Sequence, residues 1–280
     1  VKSLPPEVPF DKTLSELHLP LPSIIRTIDR FVLYRSEIHP AGAVHEKVSE
    51  FRSVKPFKIR PADLFNVYRK LRRTFGHQAW WPGDTPFEVA VGAILTQNTA
   101  WTNVEKAILN LKRAGKLSFA AMSSLTAGEL SKLIRPAGYY NVKADRLKNF
   151  LWFLETECGG DIRKMRCGKT PELRKKLLNV KGIGRETADS ILLYALGKRS
   201  FVIDAYTKRI FSRHRLMQED GDYDDWKAVF EKALPRRVGL YNDFHAQIVR
   251  LAKEFCGTAA RCHNCPLRQG INLPKDAKLF

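Results

Sequence analysis

One twenty-residue stretch, LLNVKGIGRETADSILLYAL at positions 177–196, restricts what this chain can fold into more than any other. Its apolar residues recur at helical spacing on both sides of Lys181-Gly182-Ile183-Gly184-Arg185. A helix interior resists such a run, because each glycine costs about 1 kcal/mol relative to alanine. The spacing predicts two packed helices joined by a tight turn, in which glycine supplies positive φ and lets another backbone come close. The second helix then begins at the turn, with unpaired N–H groups and the positive end of its dipole facing outward, which makes an anion site. Lys181 and Arg185 flank that site, so a nucleic-acid phosphate fits there without any readout of base sequence. A close-packed αα-hairpin with no ligand is the plainer reading of the same glycines.

Charge favours the first reading. The 280 residues include 48 Lys and Arg against 29 Asp and Glu, a net charge of +19 with a pI near 9.9. The basic residues are interspersed rather than confined to a tail, and the partner they imply is a polyanion, nucleic acid before an anionic membrane. A hydrophobic content of 44% is enough for a real core. No run reaches the about 18 apolar residues of a membrane span, and Val1-Lys2-Ser3-Leu4-Pro5-Pro6 lacks the charged head and apolar core of a signal peptide. The expected location is intracellular and DNA-associated, in the cytoplasm or nucleoid of a prokaryote, with no membrane contact.

The chain from residue 61 onward reads as helix after helix, so the expected class is all-α. Asp63 to Phe75 is periodic. Thr85-Pro86-Phe87-Glu88 is a capping box opening a helix through about Leu95, and a further helix is expected from about Thr102 to Ala114. Thr126-Ala127-Gly128-Glu129 is a second capping box, KADRLKNFLWFLETECGG ends in the glycines that follow a helix, and Thr170-Pro171-Glu172 opens one more. Residues 1–60 stand apart as an extension of unknown role. They are proline-rich at first, then carry SIIRTIDRFVLYRSEI, whose pattern fits helix and strand equally.

Eighteen residues beyond Glu186 comes SFVIDAYTKRIF, in which a short apolar stretch delivers Asp204 to the start of an amphipathic helix. On its own Asp204 reads as an N-cap, worth about 1 kcal/mol. Beside a phosphate-gripping hairpin it also reads as a carboxylate near sugar C1′, able to stabilise an oxocarbenium ion or activate water.

LLNVKGIGRETADSILLYAL followed by FVIDAYTKRI resembles the helix-hairpin-helix and catalytic-aspartate signature of the endonuclease III superfamily of DNA glycosylases, over roughly residues 70–255. WWPGDTPFEVAVGAILTQNTAW (80–101) and IRPAGYYNVKADRL (134–147) are most similar to the branch typified by bacterial 3-methyladenine DNA glycosylase III. The resemblance implies a helix-hairpin-helix glycosylase fold: a six-helix barrel at 85–203, a second helical domain from 61–84 and 204–270 with a Cys-rich loop, and a tail at 271–280. It implies Asp204 as the catalytic residue. It places Gln97 and Asn98 where a residue fills the gap left by a flipped nucleotide, and Trp80, Trp81, Pro82 and Trp101 where the base is held by stacking. Stacking is worth roughly 1–3 kcal/mol per base, and an indole face adds about 0.5–2 kcal/mol for a cationic base. A helix terminus and an aromatic core are the bland readings of those two groups. Lys181, Gly182, Gly184 and Arg185 become the phosphate-binding hairpin, with Tyr206 and Lys208 as weaker backbone contacts. His245 also matches a histidine of the branch, although a lone histidine is more often structural.

Bifunctional members carry a lysine where Glu186 stands, and a carboxylate cannot form their Schiff base. The expected activity is therefore a monofunctional glycosylase excising alkylated purines such as 3-methyladenine from duplex DNA, acting as a monomer and leaving an intact abasic strand. The rivals are an endonuclease III-like glycosylase with AP lyase activity and a non-catalytic helix-hairpin-helix DNA-binding module. FCGTAARCHNCPLRQGIN resembles the iron–sulfur loop of endonuclease III relatives. It carries Cys256, Cys262 and Cys265, with Ile271 or Asn272 about where a fourth cysteine belongs. A [4Fe-4S] cluster normally takes four Cys thiolates. A cluster, a degenerate loop and zinc all stay open, and the chemistry requires none of them.

Overall fold

A computed structural model describes the backbone of residues 30–39 and 42–52, and residues 61–268 apart from Arg215 and Glu219. The expected 271–280 tail, with Ile271 and Asn272, lies outside the described residues, as does most of the 1–60 extension. Within that extension β1 (Arg30–His39) and β2 (Gly42–Arg52) pair antiparallel from Arg30↔Arg52 to His39↔Gly42, with a bulge between Leu33 and Tyr34. Phe31, Val32, Tyr34 and Ile38 favour a pleated backbone, and strand is the outcome there for a pattern that fitted helix as well. This hairpin belongs to a unit, Val1–Pro56, distinct from Phe57–Phe280.

From Pro61 the described chain is all-α in class. The helices are α1 (Pro61–Phe75), α2 (Pro86–Leu95), α3 (Trp101–Arg113), α4 (Phe119–Ser123), α5 (Ala127–Leu133) and α6 (Tyr140–Cys158), then α7 (Thr170–Leu178), α8 (Arg185–Ser190), α9 (Ala205–Arg213), α10 (Tyr223–Ala233) and α11 (Val238–Glu254). Thr85 caps α2 by accepting from the Glu88 N–H at 3.1 Å, but the Glu88 carboxylate accepts from the Asp84 N–H, so the box is displaced by one residue. Thr126 and Glu129 form the full reciprocal box on α5. Gly159, at φ 60, ends α6 in the left-handed region where glycine carries no Cβ penalty.

Two apolar cores lie within the Phe57–Phe280 unit. Helices α2 to α8 build the first around α2, which is buried from Phe87 to Leu95 because its sequence is apolar on nearly every side. Helices α1, α9, α10 and α11 with Phe201–Ile203 build the second, where Phe201 and Phe230 stack 4.5 Å apart and Trp226 is fully buried. Each such aromatic or leucine contributes about 1.5–3 kcal/mol.

α8 is the seam. Past Ser190 its hydrogen bonds widen into a π-helical turn at Ile191–Ala195. Leu192 enters the first core, Leu193 the second, and Tyr194 packs against both. One turn earlier, fully buried Asp189 accepts from Arg174 Nε at 2.9 Å and from the Ser200 hydroxyl at 2.5 Å, with Lys227 Nζ of α10 at 3.7 Å. This polar cluster ties α7, α8 and α10 together.

Candidate active site and nucleic-acid interface

The hairpin between α7 and α8 explains its own first glycine. Gly182 sits at φ +94, and a Cβ there would lie 2.3 Å from Arg146 Cγ, so a larger residue is strained at that φ and displaces the Arg146 side chain. Gly184 differs: a Cβ would meet no protein atom within 4 Å. Nothing inside the chain demands that glycine, while a bare backbone lets an external group approach the first amides of α8. Lys181 is exposed beside it. Arg185 is exposed too, but its guanidinium already donates to Asp222 at 2.8 Å and Asp224 at 3.1 Å, the acids that open α10.

Asp204 caps α9 as expected. Its Oδ1 accepts from both the Thr207 N–H and the Thr207 hydroxyl at 2.7 Å, while Oδ2 lies 3.4 Å from His245 Nε2 on α11. Burial alone would raise its pKa. The His245 charge and the Thr207 bonds outweigh that and hold the carboxyl below the ordinary range, so it stays ionised. Glu186 stands in the first turn of α8, water-accessible on the cleft wall yet crowded by protein. That crowding, reinforced by the like charge of Asp204 and opposed by His245, raises its pKa to about 7.

An open cleft of about 1110 Å³ brings these groups together with Trp80, Trp81, Trp101, Gln97 and Asn98. The three indoles pack on one another, with centroids 5.4 Å (Trp80–Trp81 and Trp80–Trp101) and 5.1 Å (Trp81–Trp101) apart. They form one contiguous aromatic wall rather than two facing plates. Gly92 of α2 makes room for it: a Cβ there would stand 3.3 Å from Trp81 Nε1. Pro82 is exposed beside the wall and does not line the cleft. At the end of α2, Asn98 is exposed at φ 51, while the Gln97 amide donates to the Gly182 carbonyl and the Thr187 hydroxyl, each at 2.9 Å. Of this pair Asn98 projects and Gln97 fastens the turn to the hairpin. Tyr206 lines the cleft under the Arg209 guanidinium, and the Lys208 ammonium is held by the Gly221 carbonyl at 2.8 Å.

Several contributors were invisible to pattern reading. Buried Asp243 of α11 accepts from the Gln78 N–H at 3.0 Å, the Tyr68 hydroxyl at 3.1 Å and Arg72 at 3.1 Å, anchoring the segment that runs into Trp80. Lys143, 1% exposed, donates to the Leu95 and Ala137 carbonyls at 2.8 Å and so fixes the end of α2 below Asn98. Its burial lowers its pKa to about 8, helped by Arg146.

The cysteine loop does not fit a four-thiolate cluster. Cys256 is buried and Cys262 and Cys265 half-buried, and among the described residues no three His, Cys, Asp or Glu side chains are grouped as metal ligands. Cys158 is committed to the first core and Cys167 lies at the end of the turn after α6. Arg213 holds the loop instead, donating to Cys256 Sγ at 3.4 Å, the Gly257 carbonyl at 2.7 Å and the Thr258 carbonyl at 3.0 Å. No helix among the described residues is long and apolar enough to cross a membrane.

The family model for HhH-GPD superfamily base excision DNA repair proteins matches residues 91–236. A Methanocaldococcus jannaschii protein, provisionally named a DNA repair glycosylase, is 48% identical over 207 residues, spanning 74% of this chain and 94% of its own. A thymine/uracil-DNA glycosylase of Pyrobaculum aerophilum is 26% identical over 229 residues, 79% of this chain and 93% of that one. Among solved structures, the H. pylori 3-methyladenine DNA glycosylase bound to 1,N6-ethenoadenine superposes with a TM-score of 0.61 at 30% identity, covering 69% of this chain and 98% of its own. An endonuclease III–DNA complex, at 19% identity and TM-score 0.65 over 78% and 97% of the two chains, shares the fold.

Proposed function

This chain belongs to the HhH-GPD superfamily of base excision DNA repair proteins and is a DNA N-glycosylase, and from that premise we propose that it is a monofunctional enzyme hydrolysing the N-glycosidic bond of alkylated, 3-methyladenine-like purines in duplex DNA. The observation that carries this reading is an ionised carboxylate, Asp204, facing the same cleft as an indole wall, with an acid rather than an amine at Glu186.

DNA lies along the cleft, its backbone held by the Gly182–Gly184 turn, the open amides of α8 and Lys181, with Tyr206 as a further contact. Taking a nucleotide out of the stack costs a few kcal/mol. Asn98 fills the gap, and the flipped base stacks on Trp80, Trp81 and Trp101 for roughly 1–3 kcal/mol. A cationic purine gains more from indole faces than a neutral one, and two nearby carboxylates favour it further. The C1′–N bond then breaks with its electron pair leaving on the base, which departs neutral. Asp204 stabilises the oxocarbenium ion, water adds its oxygen to C1′, and the water proton passes to a carboxylate. Glu186 has no amine to attack C1′, so the strand stays intact. No step calls for a metal or cofactor, and one chain supplies every group.

The thymine/uracil-DNA glycosylase relatives favour a second reading, excision of thymine or uracil. Single-turnover assays on duplexes carrying 3-methyladenine, 1,N6-ethenoadenine or uracil opposite guanine separate the two, with strands analysed before and after hot alkali. The proposal expects purine release and breaks only after alkali. Uracil release alone overturns the substrate class, and breaks without alkali overturn the monofunctional chemistry.

A further inference from the structure

We propose that Tyr194 and His245 are positioning residues forming a buried relay behind Asp204, through which the aromatic wall that receives the base orients the carboxylate that breaks the bond. The inference rests on the reading of Asp204 as the catalytic group and goes beyond it, because Tyr194 does not line the cleft and His245, which does, acts through the carboxylate rather than on the substrate.

Both hydrogen bonds from Thr207 fall on Oδ1 of Asp204, which leaves Oδ2 as the oxygen available to the reaction. His245 Nε2 stands 3.4 Å from that oxygen. The histidine is 5% exposed, and its buried Nε2 makes no hydrogen bond. Its other nitrogen, Nδ1, lies 2.5 Å from the Tyr194 hydroxyl. Which ring nitrogen carries the proton is set by what the other one bonds. A tyrosine hydroxyl donating to Nδ1 fixes the tautomer with hydrogen on Nε2, and a protonated ring has hydrogen on both. Either way Nε2–H faces Asp204 Oδ2, short of a hydrogen bond by a few tenths of an ångström. Such catalytic contacts commonly tighten only in the substrate complex.

Tyr194 supplies the link to the base. It lies in the π-helical turn that serves both cores, its ring centroid 5.1 Å from Trp81 and 5.9 Å from His245. Trp81 in turn touches Trp80 and Trp101. A base settling on the wall presses Trp81 toward Tyr194, and Tyr194 presses the imidazole toward Oδ2. The groups that act on Asp204 are Glu186 and Tyr194 from α8, His245 from α11 and Thr207 from its own helix, while Tyr206, Lys208 and Lys253 line the same cleft. Burial and the Asp204 charge push the Tyr194 hydroxyl well above its usual range, so it keeps its proton throughout the working pH range. Glu186 titrates at about 7 and opposes Asp204 only above that pH.

The test uses the full chain under single-turnover conditions, on the lesion duplex it excises, with Tyr194→Phe, His245→Asn and His245→Gln beside Asp204→Asn. Tyr194→Phe keeps the ring packing and removes only the hydroxyl. Loss of the relay is expected to slow excision by about 10- to 100-fold, the range spanned by one charge-assisted hydrogen bond, while DNA affinity stays unchanged. The decisive readout is the acid limb of the pH–rate profile. His245 holds the proton affinity of Asp204 down, so both His245 variants are expected to move that limb to higher pH. Rates within about threefold of wild type in all three relay variants would overturn the relay, as would slowed rates with an unmoved acid limb, which is what a merely structural role produces. An Asp204→Asn enzyme as active as wild type would instead overturn the reading of Asp204 on which the relay rests.

Discussion

On the proposed function Asp204 holds two jobs that one substitution can separate. As an N-cap it accepts from the Thr207 N–H and hydroxyl at 2.7 Å, and as a catalytic group it presents an ionised oxygen to the cleft. Asparagine is about as good a cap as aspartate and keeps an acceptor in the same place, whereas alanine removes the cap at a cost of about 1 kcal/mol. In a folded body of this size that cost lowers Tm by about 2–4 °C. Neither replacement carries charge, and losing a positioned carboxylate from the transition state costs about 10²–10⁴ in rate. Stability should therefore separate Asn from Ala while single-turnover excision groups them, both far below wild type. The pH dependence supplies a check of sign. The folded-state pKa of Asp204 is depressed, so its contribution to stability is present above the unfolded value of about 3.9 and is lost as pH falls through the depressed one. Asp204→Asn lacks that acid-side loss. An asparagine enzyme within about tenfold of wild type would refute the catalytic role, and equal melting of the Asn and Ala proteins would refute the capping role.

Glu186 behaves in the opposite sense. Its folded-state pKa of about 7 lies above the unfolded value of about 4.3, so stability falls as pH rises between them, and thermal melts of Glu186→Gln should lack that slope. Replacing Trp101 by alanine should weaken lesion-duplex binding by the about 1–3 kcal/mol of one stacking contact, measured by titration against undamaged duplex, whose affinity should barely change. Lys181→Ala is expected to reduce the salt slope of DNA binding by about 0.9, the value for one phosphate contact, and Arg185→Ala by less, because Asp222 and Asp224 already engage that guanidinium. Equal slopes for the two variants would contradict the ion pairing. Asp189→Ala removes the buried partner of Arg174 and Lys227 but leaves them Asp224 and Glu231, and should cost less in denaturant unfolding than the about 3–5 kcal/mol of a stranded buried charge.

The parts of the site readable in sequence are those whose geometry is local. The glycine turn, the cap at Asp204 and the capping box at Thr126 each depend on neighbours within a few positions. The partners of those groups are not local. His245 and Asp204 are 41 positions apart and meet only because α9 and α11 pack in one core, so a lone histidine in a helical pattern carried no sign of its neighbour. Arg185 looked like a free phosphate ligand because Asp222 and Asp224 lie on the far side of α9 in sequence. Gln97 and Asn98 were indistinguishable as adjacent polar residues until the positive φ of Asn98 turned one outward and the hairpin claimed the other. The tryptophans were legible as a group, but their mutual angles and the exposure of Pro82 were not, since both depend on how the loop before α2 and the start of α3 pack.

The seam at α8 has a consequence for where strain goes during recognition. Leu192 and Leu193, adjacent in sequence, anchor in different cores, and Asp189 bonds across to α10 one turn away. Spreading the cleft would therefore tear apolar contacts on both sides of a single helix at once. On the proposed function, a duplex bound in the cleft would then supply most of the bending and unstacking. Under that reading discrimination would begin before any atom of the lesion touches an indole, because base steps that are already weakly stacked or mispaired deform at lower cost and present their nucleotide to the cleft more often.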